Sequence, residues 1–585
     1  MAIHFYDTLA RAQKPFEPLR GPAVGIYGCG PTVYQLPHIG NYRTFLFNDL
    51  LHRWLAWKGF EVRMVMNLTD VDDRIIDLAA ERGVGIGEYV APYVDGFFAE
   101  LETLGVRPAH AYPRATEHIT DMVALVEKLV ERGHAYEVDG SVYYDIGSFE
   151  AYGRLSRIPL DEVRTGERVA SDRYEKQDAR DFALWKAARD VDREVGAAWP
   201  SPWGEGRPGW HLECSAMSMA ELGPTLDIHT GGEDLVFPHH EDEIAQSEGA
   251  TGETFARTWL HAKHLLLDTE KMSKSVGNVV GLADVLEQGF VPAAVRYLLL
   301  SAHYRSELSF SYGALRDASG ALRRLVDFRD RLRTLAGEDE ARPTSPLRPA
   351  GVSAEARGGG AVADGGGRDG KGSSGEIPDG GGRDGQGLDG TARADQRRDG
   401  VTGTPSPRSL EGLARRFLEA FEDALEDDLN TPAALGALFL FVRRTNVAMD
   451  EAVGGRDEPP APTPAARGVS AEASAGARSA ETSAGARGVS AETSAGARSA
   501  LAALAAFDEV FGVLSLADRD GGVDAELAAW ADERVAARQR ARAERDWAAA
   551  DAIRDELAEA GIVIEDTPQG PRWKAPGSAA AAPRG

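Results

Sequence analysis

The sequence predicts an α/β protein, a doubly wound parallel-sheet (Rossmann-like) domain followed by a helical bundle and a small α+β C-terminal domain. Three observations lead there. The apolar pattern spells a strand, a helix and a second strand within the first 66 residues, and from residue 307 onward the apolar period becomes helical. The chain is also 585 residues long, and single hydrophobic cores seldom grow past about 250 to 300 residues.

Taken in order, Val24-Gly-Ile-Tyr27 reads as a short buried strand. Leu46, Leu50, Leu51, Trp54 and Leu55 recur at helical spacing between Arg43 and Trp57, and Val62-Arg-Met-Val-Met66 reads as the next strand. Parallel strands joined by a helix take a right-handed crossover and leave a ligand crevice at their carboxyl ends, where Gly28-Cys-Gly-Pro31 lies. Further strands are expected at 142–145, 226–229 and 264–267, with helices between them. Leu315, Leu322, Leu325, Val326, Phe328 and Leu332 then fit one apolar stripe, and helical signal returns over 410–449 and 501–514. A last unit starts near Ala525. Its helices carry Arg534, Arg538, Arg540, Arg542 and Arg545, followed by a hairpin of Ile562-Val-Ile564, the turn Thr567-Pro-Gln-Gly570 and Arg572-Trp573.

Two stretches break this pattern. Between Gly351 and Gly400, 17 of 50 residues are glycine, too little apolar bulk to offset the entropy of ordering. Around 454–497 the string Gly468-Val-Ser-Ala-Glu returns at Gly488, and Ser-Ala-Gly-Ala-Arg occurs three times. That repeat of Ala, Ser and Gly cannot build a stacked core, so it reads as a low-complexity insert. The expected organisation is a catalytic domain over 1–306 with an inserted connective region at about 115–225, and a bundle of 307–336, 410–453 and 498–520. A disordered Gly-rich insert (337–409) and the repeat insert (454–497) interrupt that bundle, and 525–585 form an anticodon-binding-like domain with a disordered tail.

Composition narrows the function classes. The formal charge of −27 argues against sheathing in DNA or anionic lipid, although a local basic face for one structured RNA stays open. There is no apolar run of 18 or more residues, and the first ten residues lack the basic start of a secretory signal, so a cytoplasmic, membrane-free location is expected. Two cysteines, Cys29 and Cys214, cannot form a disulfide framework; in a reducing compartment a sparse thiol is a metal ligand, a nucleophile or buried packing.

The chemistry-bearing strings are few. His38-Ile39-Gly40-Asn41 opens the first helix, whose N-terminus offers unpaired amides and a positive dipole end to a phosphate; Gly40 permits close approach. Lys271-Met-Ser-Lys274-Ser275 would supply mobile positive charge to a polyphosphate. Singly, the first is ordinarily a cap and the second a solvated loop. Together on a doubly wound fold they resemble the HIGH and KMSKS signatures of class I aminoacyl-tRNA synthetases, the fourth position here being Asn41. A second constellation is Cys29, Cys214 and Pro238-His-His-Glu-Asp-Glu243, in which His239 and Glu243 stand four apart on one helix face. Thiolate, imidazole and carboxylate suit zinc, with His240 or Glu241 able to substitute on spacing alone; two buried free thiols and an exposed acidic helix are the plain alternative.

Longer runs sharpen the match. Gly28-Cys-Gly-Pro-Thr-Val-Tyr34, Asn67-Leu-Thr-Asp-Val-Asp-Asp73, the stretch Pro202 to Met217 around Trp210-His-Leu-Glu-Cys214, Phe237-Pro-His-His-Glu-Asp-Glu243 and Asp428-Leu-Asn-Thr-Pro432 are similar to cysteinyl-tRNA synthetases. The resemblance spans nearly the whole chain apart from the two inserts. It implies ATP-dependent activation of L-cysteine and transfer to tRNA(Cys), with zinc ligands at Cys29, Cys214, His239 and Glu243. It also implies a cysteine pocket around Thr69, Trp210 and Asp234, and ATP contacts from His38, Gly40, Asn41 and Lys274, with Lys271 beside them. Mg2+ would travel with ATP, and the chain would be a monomer.

Zinc would explain selection. A thiol, with pKa near 8.5, deprotonates readily on the metal, whereas serine's hydroxyl is a far weaker acid and a poor ligand. Four protein ligands ordinarily mark a closed structural site, so the substrate must expand the coordination or displace a ligand. In the terminal unit Arg572 and Trp573 are candidates to meet unstacked anticodon bases, Trp547 is expected in the core, and Arg538 and Arg542 on a solvated face that also touches phosphate. Two rivals remain. A related family joins cysteine to an amino-sugar inositol in thiol biosynthesis, but it would leave the bundle and basic terminal unit unexplained. A non-catalytic zinc-stabilised RNA-binding derivative would have no need of His38, Lys271 and Lys274.

Overall fold

A computed structural model describes residues 2–158, 181–267, 270–271, 280–337, 406–454, 490–520, 525–559, 562–567 and 570–574. Apart from Ser406, these belong to one unit made of Met1–Leu347 and Pro407–Gly585. Lys274, most of both inserts and the tail after 574 lie outside the described residues.

The chain opens with a hairpin, β1 (His4–Asp7) and β2 (Ala12–Pro15), that sequence periodicity does not announce. β3 (Ala23–Gly28), α1 (Ile39–Trp57) and β4 (Glu61–Met66) follow as the expected strand–helix–strand unit. α1 is buried on nearly every side, its polar Arg43, Asn48, Asp49 and His52 included. Next come α2 (Asp73–Arg82), α3 (Ile86–Thr103) and α4 (Ile119–Glu131). The inserted region then forms an antiparallel sheet in the order β5 (Ala135–Val138), β6 (Ser141–Tyr144), β7 (Phe182–Ala187), β8 (Gly206–Pro208), with α5 (Asp190–Glu194) between the last two.

α6 (Trp210–Leu222), β9 (Leu226–Gly232), α7 (Glu241–Thr251) and β10 (Ala256–Ala262) return the chain to the parallel sheet. Its order is β10-β9-β3-β4, with every neighbour parallel and Ile26 in register with Met64 on one side and Ile228 on the other. Helices cover the strands, so the inner ones are buried almost throughout. The strand expected at 264–267 exists as β11 (Leu265–Leu267) but belongs to a separate small sheet. There it pairs with β12 (Glu270–Lys271) and with β13 (Leu308–Phe310), which comes after α8 (Leu282–Glu287) and α9 (Pro292–Leu300).

The bundle comprises α10 (Tyr312–Ala336), α11 (Leu410–Glu426), α12 (Thr431–Gly454), α13 (Ala491–Phe511) and α14 (Leu514–Asp520). Its centre is aromatic: Phe417 stacks on Phe441 at 4.8 Å and Phe507 on Phe511 at 4.5 Å. One boundary moves. The repeat insert was expected to run to residue 497, yet its last Ser-Ala-Gly-Ala-Arg copy is helical and packs, with Gly496, Ala497 and Ala500 buried. A Cβ at Gly496 would lie 2.9 Å from Leu410 Cβ, so the small residues that cannot make a core of their own let α13 approach α11 closely. Ser490 caps the helix by accepting from the Thr493 amide at 3.1 Å. The terminal unit, α15 (Ala525–Ala543), α16 (Trp547–Glu559), β14 (Val563–Thr567) and β15 (Gly570–Lys574), closes on a small core of Val535, Leu557 and Ile562.

Candidate active site and metal centre

The crevice at the carboxyl end of β3 is built by backbone approach. A Cβ on Gly30 would fall 1.8 Å from the Asn67 carbonyl, so only glycine lets the turn after β3 lie against the end of β4. The Cys29 amide donates to the Thr230 carbonyl at 3.1 Å, fixing the thiol over β9. α6 brings Cys214, the wide turn at 236–240 brings His239, and the first turn of α7 brings Glu243. The four ligand atoms lie within 4.8 Å of one another and all four residues are buried. Cys29 Sγ is 4.0 Å from Cys214 Sγ and 3.8 Å from Glu243 Oε1; His239 Nε2 is 3.3 Å from Cys214 Sγ and 3.1 Å from Glu243 Oε1.

The electrostatics fit a cation. The Cys29 thiol donating to it, helped by His239, holds Cys214 down at about 6 against burial. Burial pushes Cys29 up, reinforced by Cys214 and Glu243. Burial opposes charge on His239, but Cys214 and Glu243 outweigh it and push the imidazole up to about 10. Burial likewise opposes ionisation of Glu243, yet His229 and His239 hold it at about 2. In this dry pocket Cys214 and Glu243 are balanced by the charged His239 while Cys29 keeps its proton, and a divalent ion suited to this donor set would take the place of those protons. The chemistry therefore fits zinc.

Further histidines surround the tetrad: His229 and His261, which sequence reasoning did not single out, and His240, which it named only as a substitute ligand. His229 Nε2 lies 2.8 Å from Glu243 Oε2, orienting the carboxylate in the manner of an outer-shell partner. His240 Nε2 lies 3.3 Å from Cys29 Sγ, and its Nδ1 lies 2.7 Å from His261 Nε2. Cys29, His229, His240 and Glu243 thus form a second, overlapping donor set. Of the two substitutes allowed by spacing, His240 stands in this shell, while Glu241 is turned away and accepts from the Gly153, Leu155 and Ser156 amides.

The pocket wall and the nucleotide side complete the crevice. The exposed Trp210 ring lies 4.4 Å from that of His239. Thr69 is buried and accepts from Asn67 Nδ2 at 3.2 Å, and nearby stands Glu213, a buried carboxyl pushed well above its ordinary range by burial, Cys214 and two aspartates. Asp234 stands exposed in the short turn Glu233–Leu235, upstream of His239. His38 caps α1, and a Cβ on Gly40 would lie 2.9 Å from two of its ring atoms, so Gly40 leaves room for the ring over the helix start. Asn41 is exposed and its side chain accepts the His38 amide at 3.1 Å, a capping role within its own helix. Lys271 ends β12, paired with Leu266; Lys274 lies outside the described residues.

Comparison with known proteins gives the family. Residues 15–320 match the family model of the class I (C) tRNA synthetase catalytic domain. The chain is 36% identical over 575 residues to a cysteine–tRNA ligase of Protochlamydia amoebophila, covering 98% of each chain. It is 39% identical to one of Solibacter usitatus, covering 98% of this chain and all of that one. The chain belongs to the cysteinyl-tRNA synthetase family.

Two further matches extend that family assignment past the catalytic domain, a DALR domain at 420–459 and a cysteinyl-tRNA ligase anticodon-binding domain at 524–573. Mycobacterium tuberculosis methionyl-tRNA synthetase in complex with methionyl-adenylate shares the fold, with a TM-score of 0.53 at 14% identity over 86% of this chain and 94% of that one. In the synthetase's terminal unit, Arg572 and Trp573 lie on β15, Trp573 in register with Ile564; their side chains lie outside the described set. Trp547 corrects the expectation of a core residue. At 59% exposure it opens α16 facing solvent, because Leu557 and Ile562 already fill the small core.

Proposed function

We propose that this synthetase activates L-cysteine with ATP and transfers the cysteinyl group to tRNA(Cys). The observation that carries the reading is the buried Cys29, Cys214, His239 and Glu243 tetrad at the carboxyl end of β3. In the first step a carboxylate oxygen of cysteine attacks the α-phosphorus of ATP; the bond from that phosphorus to the bridging oxygen breaks and pyrophosphate leaves with its Mg2+. In the second, a terminal ribose hydroxyl of the tRNA attacks the adenylate carbonyl, losing its proton, and AMP leaves. Neither step uses a protein nucleophile, so this chain's residues act by position and charge. His38, Gly40 and Asn41 form the phosphate end, Lys271 and Lys274 bring positive charge, and Thr69, Trp210 and Asp234 border the amino acid. Zinc, held by Cys29, Cys214, His239 and Glu243, would supply a Lewis acid for the substrate thiol and so separate cysteine from serine.

Residues 525–574 receive the anticodon, with Arg572, Trp573 and the exposed Trp547 as contacts; base stacking on such an aromatic is sequence-tolerant. That unit also weighs against the thiol-biosynthesis ligase, which has no anticodon to bind. Among the described residues no helix is long and apolar enough to cross a membrane, in keeping with a cytoplasmic enzyme that we read as a monomer. The test is metal analysis of the wild type and Cys214→Ser, paired with pyrophosphate exchange driven by cysteine and by serine. Zinc bound to the wild type, exchange with cysteine alone and loss of both in the variant are expected. Equal exchange with serine would refute the selection role.

A further inference from the structure

Arginine is seldom fully buried, yet two buried arginines hold α1. Arg43, near its N-terminus, is 2% exposed. Its guanidinium donates to the carbonyls of His264 at 2.9 Å, His303 at 3.1 Å and Ser306. His264 immediately precedes β11, the strand that pairs with β12 and so with Lys271. At the same end of α1 the Ile39 amide donates to Val280 at 2.8 Å, and His38 pairs with Gly281 as an antiparallel bridge. His264 on one side, and Val280 with Gly281 on the other, are thus two feet resting on the beginning of the helix that carries His38 and Gly40.

The 302–306 segment is held from its other side by the corner between α11 and α12. Asp428 sits there in the left-handed region at φ 56°, which aspartate tolerates better than most residues. Its carboxylate accepts from Tyr304 Oη at 2.6 Å, Arg305 Nε at 2.7 Å and the Tyr6 amide at 2.8 Å, while Thr431 Oγ1 donates to the Ala302 carbonyl at 3.3 Å. One short segment thus joins the helical bundle to Arg43, and Arg43 joins it to β11.

We propose that Arg43 is a positioning residue for nucleotide binding, holding the β11 foot at a fixed distance from the start of α1, and that Asp428 loads the same contact from the bundle. The inference rests on the activation reaction proposed above. A planar guanidinium fork reaches the two segments from two separate nitrogens, Nη1 to His264 and Nη2 to His303 and Ser306, which the single nitrogen of a lysine cannot reproduce. Neither residue need touch substrate.

Arg296 supplies the contrast. It is equally buried and donates to Leu104 and Gly105 carbonyls at 3.2 Å, to the Phe511 carbonyl and to Asp49, gripping α1 away from both feet. The experiment measures, in the full chain, the equilibrium Kd for ATP, the KM values for ATP and cysteine in pyrophosphate exchange, metal content and Tm. Arg43→Lys and Asp428→Asn should each raise the ATP constants about tenfold, the scale of a small misplacement at a reacting centre, with the cysteine KM and metal content unchanged. The double variant should fall no further than the worse single one, since both act through one chain of contacts. Arg296→Lys should lower Tm with the ATP constants unmoved.

If Arg43→Lys behaves as Arg296→Lys does, losing Tm with ATP constants within about twofold of wild type, the inference is overturned. Should that variant fail to fold, Asp428→Asn decides on the same readout. Additive effects in the double variant would overturn the link to the bundle. Absence of cysteine-driven exchange in the wild type would sink the proposed reaction instead, and the ATP Kd would still decide the positioning role.

Discussion

On the proposed reading, the tetrad pocket and the terminal anticodon-binding unit solve recognition in opposite ways. Cys29 and Cys214 belong to the large continuous core of the catalytic domain and bundle, with His239, Glu243, His229 and His240 buried beside them. The unit after Ala525 closes over a small cluster of Val535, Leu557 and Ile562 and leaves Trp547 at the surface. A small substrate differing from its rival by one atom needs fixed, desolvated donors, and those must be paid for inside a big core. A polynucleotide offers many weak contacts, so a thin unit with exposed aromatic and basic groups suffices.

Removing the thin unit breaks the contrast most directly. Deleting 525–585 should cut tRNA charging by about a hundredfold, equivalent to about 2.7 kcal/mol of lost binding, while cysteine-driven pyrophosphate exchange continues. A matching loss of exchange would mean that the two regions are not separable.

A buried charge probes the opposite region. Asp49 is held below the usual carboxylate range: burial opposes ionisation, but Arg296 and Arg53 outweigh it. Because its folded value lies below the unfolded value of about 3.9, its stabilisation is fully present above that pH and is lost as pH falls through the folded value. Asp49→Asn, which strands Arg296, should cost about 3 kcal/mol at neutral pH by denaturant titration. The variant should also lose less additional stability than wild type below about pH 4. Parallel acid limbs would contradict the assignment.

The smallest effect sharpens the surface side. Trp547→Ala should leave stability within about 0.5 kcal/mol of wild type and weaken tRNA binding by about 1 kcal/mol or more, read from the KM for tRNA. A large drop in Tm would return Trp547 to the core.

Much of this was legible locally. The β3–α1–β4 unit follows from alternation and helical spacing, since those strands and that helix must bury apolar residues wherever they pack. The tetrad was readable by resemblance, through His239 and Glu243 in one short string and the two scarce cysteines. His229, Glu213 and Arg43 were not, because nothing in a buried polar residue's neighbours along the chain reveals its partner. The doubled histidine at 239–240 did offer His240 as a substitute ligand, and it stands in the overlapping donor set. The helical fate of Ser494-Ala-Gly-Ala-Arg498 was equally hidden, because small residues are uninformative until a neighbouring helix supplies the bulk they pack against.

The sequence by itself determined the periodic elements, the composition breaks and the residue types able to bind a metal or a phosphate, all set by interactions within a few residues. Only the tertiary structure decided which of those residues meet. Cys29 and Glu243 are 214 positions apart, Arg43 and Ser306 are 263 apart. Burying such polar groups is tolerable only where distant segments deliver the matching donor or acceptor, so their pairing is a property of the folded packing and not of any local pattern.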